Sequence, residues 1–183
     1  MKFSLFGRHE PDLKVINKVW TDTNAKWKAC SSLLSQQSNV IFIAWFEETV
    51  HQFKSFLAEA GQAGSRVILA REAGTNLTQQ GSIIFIEHHP MKSKEHQMFE
   101  KMGLKEAVIY CSLDEPFFTA FGGEKLIEIM HTLGVKEDEC IEHSMVTKAI
   151  SNAQEKIEQR MIVEQSATSQ KAWMERNLNS TVT

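Results

Sequence analysis

The chain has 183 residues, 42% of them hydrophobic and 23% charged, with a formal net charge of −3 at pH 7. That length suits one domain burying about two-thirds of its unfolded surface, and the composition excludes disordered and fibrous classes. The slightly acidic balance, with no Lys/Arg cluster beyond short runs such as Lys92 and Lys94, argues against a nucleic-acid partner.

The longest apolar run, Val40 to Phe46, falls far short of the ~20 residues a spanning helix needs, and no N-terminal signal pattern is seen. The expectation is a cytoplasmic protein without a transmembrane segment. Cys30, Cys111 and Cys140 are too few and too far apart for a disulfide framework or a paired-thiolate metal set.

In chain order, Leu13, Ile16, Val19, Trp20, Trp27, Cys30 and Leu34 recur mostly at three- and four-residue steps, which predicts a helix from Pro11 to Leu34. Val40 to Phe46 is continuously apolar, as in a strand covered on both faces of a parallel sheet. A helix follows from Glu47 to Ala60, with Val50, Phe53, Phe56 and Leu57 on one face and Gly61 after its end. Three more short apolar runs predict strands at Val67 to Ala70, Ser82 to Ile86 and Ala107 to Cys111. Between the last two, Lys94 to Met102 reads as a helix stopped by Gly103, a crossover long enough to join parallel strands.

Asp114 to Leu133 has a helical pattern that Gly122-Gly123 must bend or interrupt. From Ser144, placed as an N-cap, Val146, Ile150, Ala153, Ile157 and Met161 keep helical register toward Leu178, with Ser166 to Ser169 allowing a break. Asn179 to Thr183 is expected to fray. The pattern predicts an α/β fold: a mainly parallel four-stranded sheet flanked by helices, carrying a long C-terminal helix.

From Phe121 the residues become specific. Phe121-Gly122-Gly123-Glu124-Lys125-Leu126, Leu133-Gly134, Glu137-Asp138-Glu139, Ile141-Glu142-His143, Val146-Thr147-Lys148-Ala149-Ile150 and Ala153-Gln154-Glu155-Lys156-Ile157-Glu158 form a series that resembles SecA, the preprotein translocase ATPase family. Upstream, Asn39 to Gly61, Val67 to Leu77, Ile83 to His89 and Tyr110 to Asp114 are similar in the same order, so the resemblance covers roughly residues 9–165. It implies a second RecA-like ATPase domain over 1–138 and the start of a scaffold helix over 139–183.

The departures from the family pattern are equally specific. Where the family has Ala-Gly-Arg-Gly-Thr-Asp, this chain has Ala73-Gly74-Thr75-Asn76-Leu77, and the family's arginine-rich loop corresponds to Gln97 to Lys105 with no arginine. No phosphate-binding loop of the form G-x-x-x-x-G-K-[ST] occurs; in the family it lies in the first ATPase domain. Arginine stabilisation of a transferring phosphoryl group is worth about 10³ to 10⁵ in rate. The expectation is therefore a degenerate, non-enzymatic relative whose nucleotide-binding remnants are Gly74, Thr75, Asn76, Gln97 and Lys101. The family's preprotein-binding insertion and zinc-binding tail have no counterpart.

Other constellations have plainer structural readings. Glu87-His88-His89-Pro90 lies at a strand end, where a metal or acid/base role competes with a turn into proline. Cys140 and His143 have ligand-like spacing without two further partners. Glu47-Glu48 and Glu137 to Glu139 sit near helix starts, where carboxylates suit the macrodipole. No metal site and no cofactor are expected.

Trp20, Trp27, Trp45 and Phe46 read as core, whereas Trp173, after a polar stretch, marks either an anchor or a partner surface. The sequence-level conclusion is a protein-interaction module linked to preprotein translocation, offering Val146, Ile150, Ile157, Met161 and Trp173 to a protein partner or to a second copy. The alternative is half of a nucleotide site, for ATP or ADP, completed by a separate ATPase chain.

Overall fold

The computed structural model describes residues 13–132, 134–136 and 138–178. The predicted helix start at Pro11, the residues Leu133 and Glu137 of the family-like series, and the expected frayed end Asn179 to Thr183 lie outside the described residues. Five strands, β1 (Lys14–Trp20), β2 (Val40–Ala44), β3 (Val67–Leu69), β4 (Ser82–Phe85) and β5 (Glu106–Ser112), form one sheet in the order β1-β5-β4-β2-β3. Every neighbouring pair is parallel. This is the expected α/β architecture with one strand more than the four expected.

The extra strand corrects the expected first helix. The segment from Pro11 to Leu34 divides into β1 and α1 (Thr23–Gln36), and β1 pairs with β5 along its whole length, from Lys14 opposite Glu106 to Trp20 opposite Ser112. Alternation explains the pairing better than the helical steps do. Val15 packs with Ala107 and Ile109 on one face of the sheet, and Trp20 lies against Tyr110 on the other, with ring centroids 4.9 Å apart. The Asp22 carboxylate then accepts from the Ala25 N–H at 2.9 Å and starts α1.

The apolar runs fill two layers. All five residues of β2 are buried, the signature of a strand covered on both faces. On one side α1 and α2 (Glu47–Glu59) press Cys30, Val50, Phe53 and Leu57 onto Val40, Phe42, Ile84 and Ile86. On the other side α3 (Lys92–Lys101) sets Phe99 against Ile41, Ile43, Phe85 and Ile109, with Met102 from the turn beyond it in the same layer. The stretch from Asp114 is two helices, α4 (Pro116–Thr119) and α5 (Gly123–Thr132), broken where Gly122 adopts φ +88°, a conformation that only glycine takes at little cost.

The C-terminal run is two helices, α6 (Ser144–Glu158) and α7 (Gln170–Leu178), rather than one long one. The break spans 159–169, starting before the Ser166 to Ser169 stretch. The cap of α6 is His143, not Ser144: the imidazole Nδ1 accepts from the Met145 N–H at 3.1 Å. Both helices fold back onto the sheet's end, where Ile141 exchanges backbone hydrogen bonds with Val19 at 2.7 and 3.2 Å.

This folding back corrects the expected interaction surface. Val146, Ile150, Ile157 and Trp173 are buried against Val19, Cys111, Leu113 and Phe117, and Met161 packs half-buried beside them. An apolar helical stripe looks the same in sequence whether it meets a partner or its own sheet. Here it meets its own sheet.

Gly81, just before β4, passes so close to the backbone of Asn39 that a Cβ there would sit 1.6 Å from the Asn39 carbonyl oxygen. That carbonyl also accepts from the Ser82 N–H at 3.0 Å, so neither strand can withdraw without losing the first rung of the β2–β4 ladder. Gly81→Ala is therefore expected to cost about 2 to 4 kcal/mol. Urea unfolding reads this as a lower midpoint at unchanged slope.

Candidate functional site

In an open parallel sheet the ligand crevice lies at the C-terminal strand ends, where successive connections leave in opposite directions. Here that point lies between β2 and β4, because α2 leaves β2 on one face and α3 leaves β4 on the other. A cleft of about 200 Å³ opens there, with Lys26, Glu87, Glu115 and Gln170 on its floor and Thr23, Trp27, Glu48, Gln52, Asp114 and Lys171 around it.

The floor is buried and charged: Lys26 is 2%, Glu87 3% and Glu115 7% exposed. The Lys26 ammonium donates to Glu115 Oε1 at 2.6 Å and to the Ile86 carbonyl at 2.9 Å. Burial opposes the charge on Lys26, but the Glu115 carboxylate, as a negative charge and as a hydrogen-bond acceptor, outweighs it and holds the lysine's pKa above its usual value. Glu115 Oε1 also accepts from the Ser112 N–H and hydroxyl, at 2.8 and 3.1 Å. Its Oε2 is buried with no hydrogen-bond partner.

Glu87 closes the crevice from within. Its Oε1 accepts from the Trp45 and Phe46 N–H groups at 2.8 and 3.0 Å, and its Oε2 from the Thr49 hydroxyl at 2.7 Å. These donors belong to Phe46, the N-cap of α2, to Trp45 before it and to Thr49 in its first turn. Burial pushes the Glu87 pKa up to about 7, with the Glu115 charge adding to the rise and the Thr49 and Phe46 hydrogen bonds opposing it.

The neighbouring histidines do structural work. His88 Nδ1 and the His89 N–H both bond Glu95 Oε1, at 2.9 and 2.8 Å, while Gln154 of α6 donates to Glu95 Oε2 and to the His89 carbonyl, each at 2.9 Å. Gln170 of α7 donates to the His88 carbonyl at 3.0 Å and accepts from the Phe117 N–H at 2.8 Å. The His89 ring takes the Met91 N–H on Nδ1, leaves Nε2 3.5 Å from Glu164, and packs among Trp45, Phe46 and Trp173. Glu164 is held down at about 2 by His89, against its partial burial, and further by Lys94 and the Trp173 indole.

The Glu87, His88 and His89 side chains thus turn to different partners and do not converge on one point. Among the described residues no group of three or more His, Cys, Asp or Glu side chains could hold a metal ion. Burial raises the Cys30 thiol to about 12 and the Cys111 thiol well above its usual range, which keeps both protonated and unreactive.

The nucleotide-remnant residues lie elsewhere. Gly74, Thr75 and Asn76 are in the turn after β3, and Gln97 and Lys101 are exposed on α3. Ala73 and Leu77 share an apolar layer with Phe99 and Met102, so the two groups sit on the same side of the sheet. None of the five lines the cleft. Sequence reasoning missed Lys26, Glu115, Gln154 and Gln170. Lys26 and Gln154 stood on helical stretches where polar residues read as solvent-facing, and only Glu115, next to Pro116, carried a usable signal, as a carboxylate beside a helix start.

No protein-family model matches the chain. Among curated proteins it is 32% identical over 118 residues to protein translocase subunit SecA 1 of Chlorobium chlorochromatii, a match covering 57% of this chain and 12% of the relative. It is 30% identical over 118 residues to protein translocase subunit SecA of Chlorobaculum tepidum, covering 57% of the chain and 11% of the relative. The SecA subunit of Acidithiobacillus ferrooxidans is 40% identical over 82 residues, 43% of the chain and 9% of that protein.

The chain carries a SecA-like region. It spans about a tenth of the length of the relatives it matches. These matches overturn the expectation that the chain is not an enzyme: its relatives are named as subunits of a protein translocase, and arginines missing from a partial match do not establish a loss of catalysis. Among the described residues no helix is long and apolar enough to cross a membrane.

The site generates two stability predictions. Between about pH 4.5 and 7 the folded chain keeps a proton on Glu87 that the unfolded chain releases, so this group favours folding most below pH 4.5 and loses that contribution as pH rises to 7. Glu87→Gln should flatten that slope, by up to about 3 kcal/mol across the window, in urea midpoints taken near pH 5 and pH 8. Lys26→Met should cost about 3 to 5 kcal/mol by leaving Glu115 buried without its cation, and adding Glu115→Gln should recover part of the loss in the same assay.

Proposed function

We propose that this chain is a SecA-like module that works in protein translocation by docking onto another protein of that machinery. The observation that carries this reading is the 30 to 40% identity to protein translocase SecA subunits over about half the chain. The fold supports it by giving a rigid, fully packed sheet with its last two helices pinned in place, a platform on which function resides in exposed groups.

Those exposed groups differ from the stripe expected from sequence. Ile162 is 95% and Val163 75% exposed, side by side in the segment that joins α6 to α7. Adjacent aliphatic side chains held in water gain most from burial against a partner. A second reading, in which the chain lends half of a nucleotide site to a companion ATPase, is supported by the exposed placement of Asn76, Gln97 and Lys101 on one side of the sheet.

The first reading predicts a stoichiometric complex between this chain and a SecA translocase subunit from the same cell, seen by sizing chromatography with light scattering. Ile162→Asp with Val163→Asp should abolish it and leave the melting temperature within about 2 °C, since both side chains are outside the core. No complex at roughly 10 μM would overturn the reading. Saturable thermal stabilisation by magnesium-ATP, about 2.7 kcal/mol at a hundredfold excess over Kd, would favour the second.

A further inference from the structure

The segment that joins α6 to α7 uses polar groups to hold two aliphatic side chains in water. On its N-terminal side the Arg160 and Met161 N–H groups bond back to the Ile157 and Glu158 carbonyls, at 3.0 and 3.1 Å. On the other side Glu164 takes the Lys94 ammonium at 2.7 Å and the Trp173 indole N–H at 3.0 Å, and Gln165 exchanges two hydrogen bonds with the Asn177 side chain, at 2.7 and 2.8 Å. Ile162 and Val163 stand exposed between these anchors. A protrusion fixed in advance loses little conformational freedom when it is bound.

The same molecule carries an apolar hollow of about 470 Å³ between α1 and α2. The half-buried rings of Trp27 and Phe56, with centroids 5.6 Å apart, line it, and His51, Gln52, Ser55 and Glu59 stand exposed around them. Helices α1 and α2 cover one face of the sheet, whereas the protrusion is tied through Glu164 to Lys94 of α3, which covers the other. Filling the hollow with the protrusion therefore takes a second copy.

Chemistry and charge match. Branched aliphatic groups gain from burial on aromatic faces, and exposed Arg160, two residues before Ile162, is opposite in sign to Glu59 at the hollow's rim. We propose that Ile162 and Val163 of one copy seat on the Trp27 and Phe56 rings of the next, with Arg160 toward Glu59. The contact joins unlike patches, so a free protrusion remains at one end and a free hollow at the other, and copies add head to tail. It rests on the translocase reading in one respect: both need Ile162 and Val163, so assembly of copies competes with docking.

The test is sedimentation velocity of the full chain alone, from roughly 5 to 500 μM. The average mass should rise with concentration past that of a dimer. Ile162→Asp with Val163→Asp removes the protrusion and Ser55→Arg blocks the hollow; all three positions are exposed, so both variants keep the fold. Each variant alone should stay monomeric, and an equal mixture should form a one-to-one dimer that grows no further, because one intact protrusion meets one intact hollow. Glu59→Arg should weaken assembly several-fold, and adding Arg160→Glu should restore it. A monomer at roughly 500 μM, a closed dimer, assembly that either variant leaves intact, or a mixture that stays monomeric would overturn the proposal. With no translocase present, such a failure leaves the translocase reading standing, while a chain that assembles but ignores SecA overturns only that reading.

Discussion

The turn Glu87-His88-His89 at the end of β4 ties four other parts of this molecule to the sheet. A carboxyl, two backbone carbonyls, a backbone N–H and the His88 imidazole leave the chain within three residues, and their partners come from four places: the residues leading into α2, Glu95 of α3, Gln154 of α6 and Gln170 of α7. Buried polar groups are costly when unpaired and directional when paired. The apolar layers supply the bulk of the burial, but this turn decides where the layers stop and how the C-terminal helices sit on them.

Satisfying that turn shapes the crevice beside it. The Glu87 carboxyl takes the N–H groups of Trp45 and Phe46, the two residues that lead from β2 into α2, and so ties the end of β4 to the start of that helix. The Lys26–Glu115 pair completes a buried floor and leaves one carboxylate oxygen unmatched.

Much of the architecture was legible in the sequence. β2 announced itself because Val40 to Ala44 is apolar without alternation, and α2 and α3 because their apolar positions keep helical spacing up to Gly61 and Gly103. β1 was not legible: Leu13, Ile16, Val19 and Trp20 fit helical steps, and only tertiary pairing with β5 decided in favour of alternation. The site was largely hidden, since its participants lie at positions 26, 87, 115, 154 and 170 and nothing local to any of them signals the others. The Trp173 ambiguity between anchor and partner surface is resolved by the His89 ring, 5.5 Å away. The SecA-like series from Phe121 onward was the specific part, and the curated matches support its family reading while leaving its catalytic state open.

The pairing of β1 along its whole length with β5 has a consequence for how the chain acquires its fold. Its first strand must wait for a partner about ninety residues downstream, and Val19 must wait further still for Ile141. Long-range closures of this kind come late and slow folding, because loop entropy is spent before the contact is made. Until then Val15, Ile16, Val19 and Trp20 of β1 lack their native partner strand and are open to wrong ones.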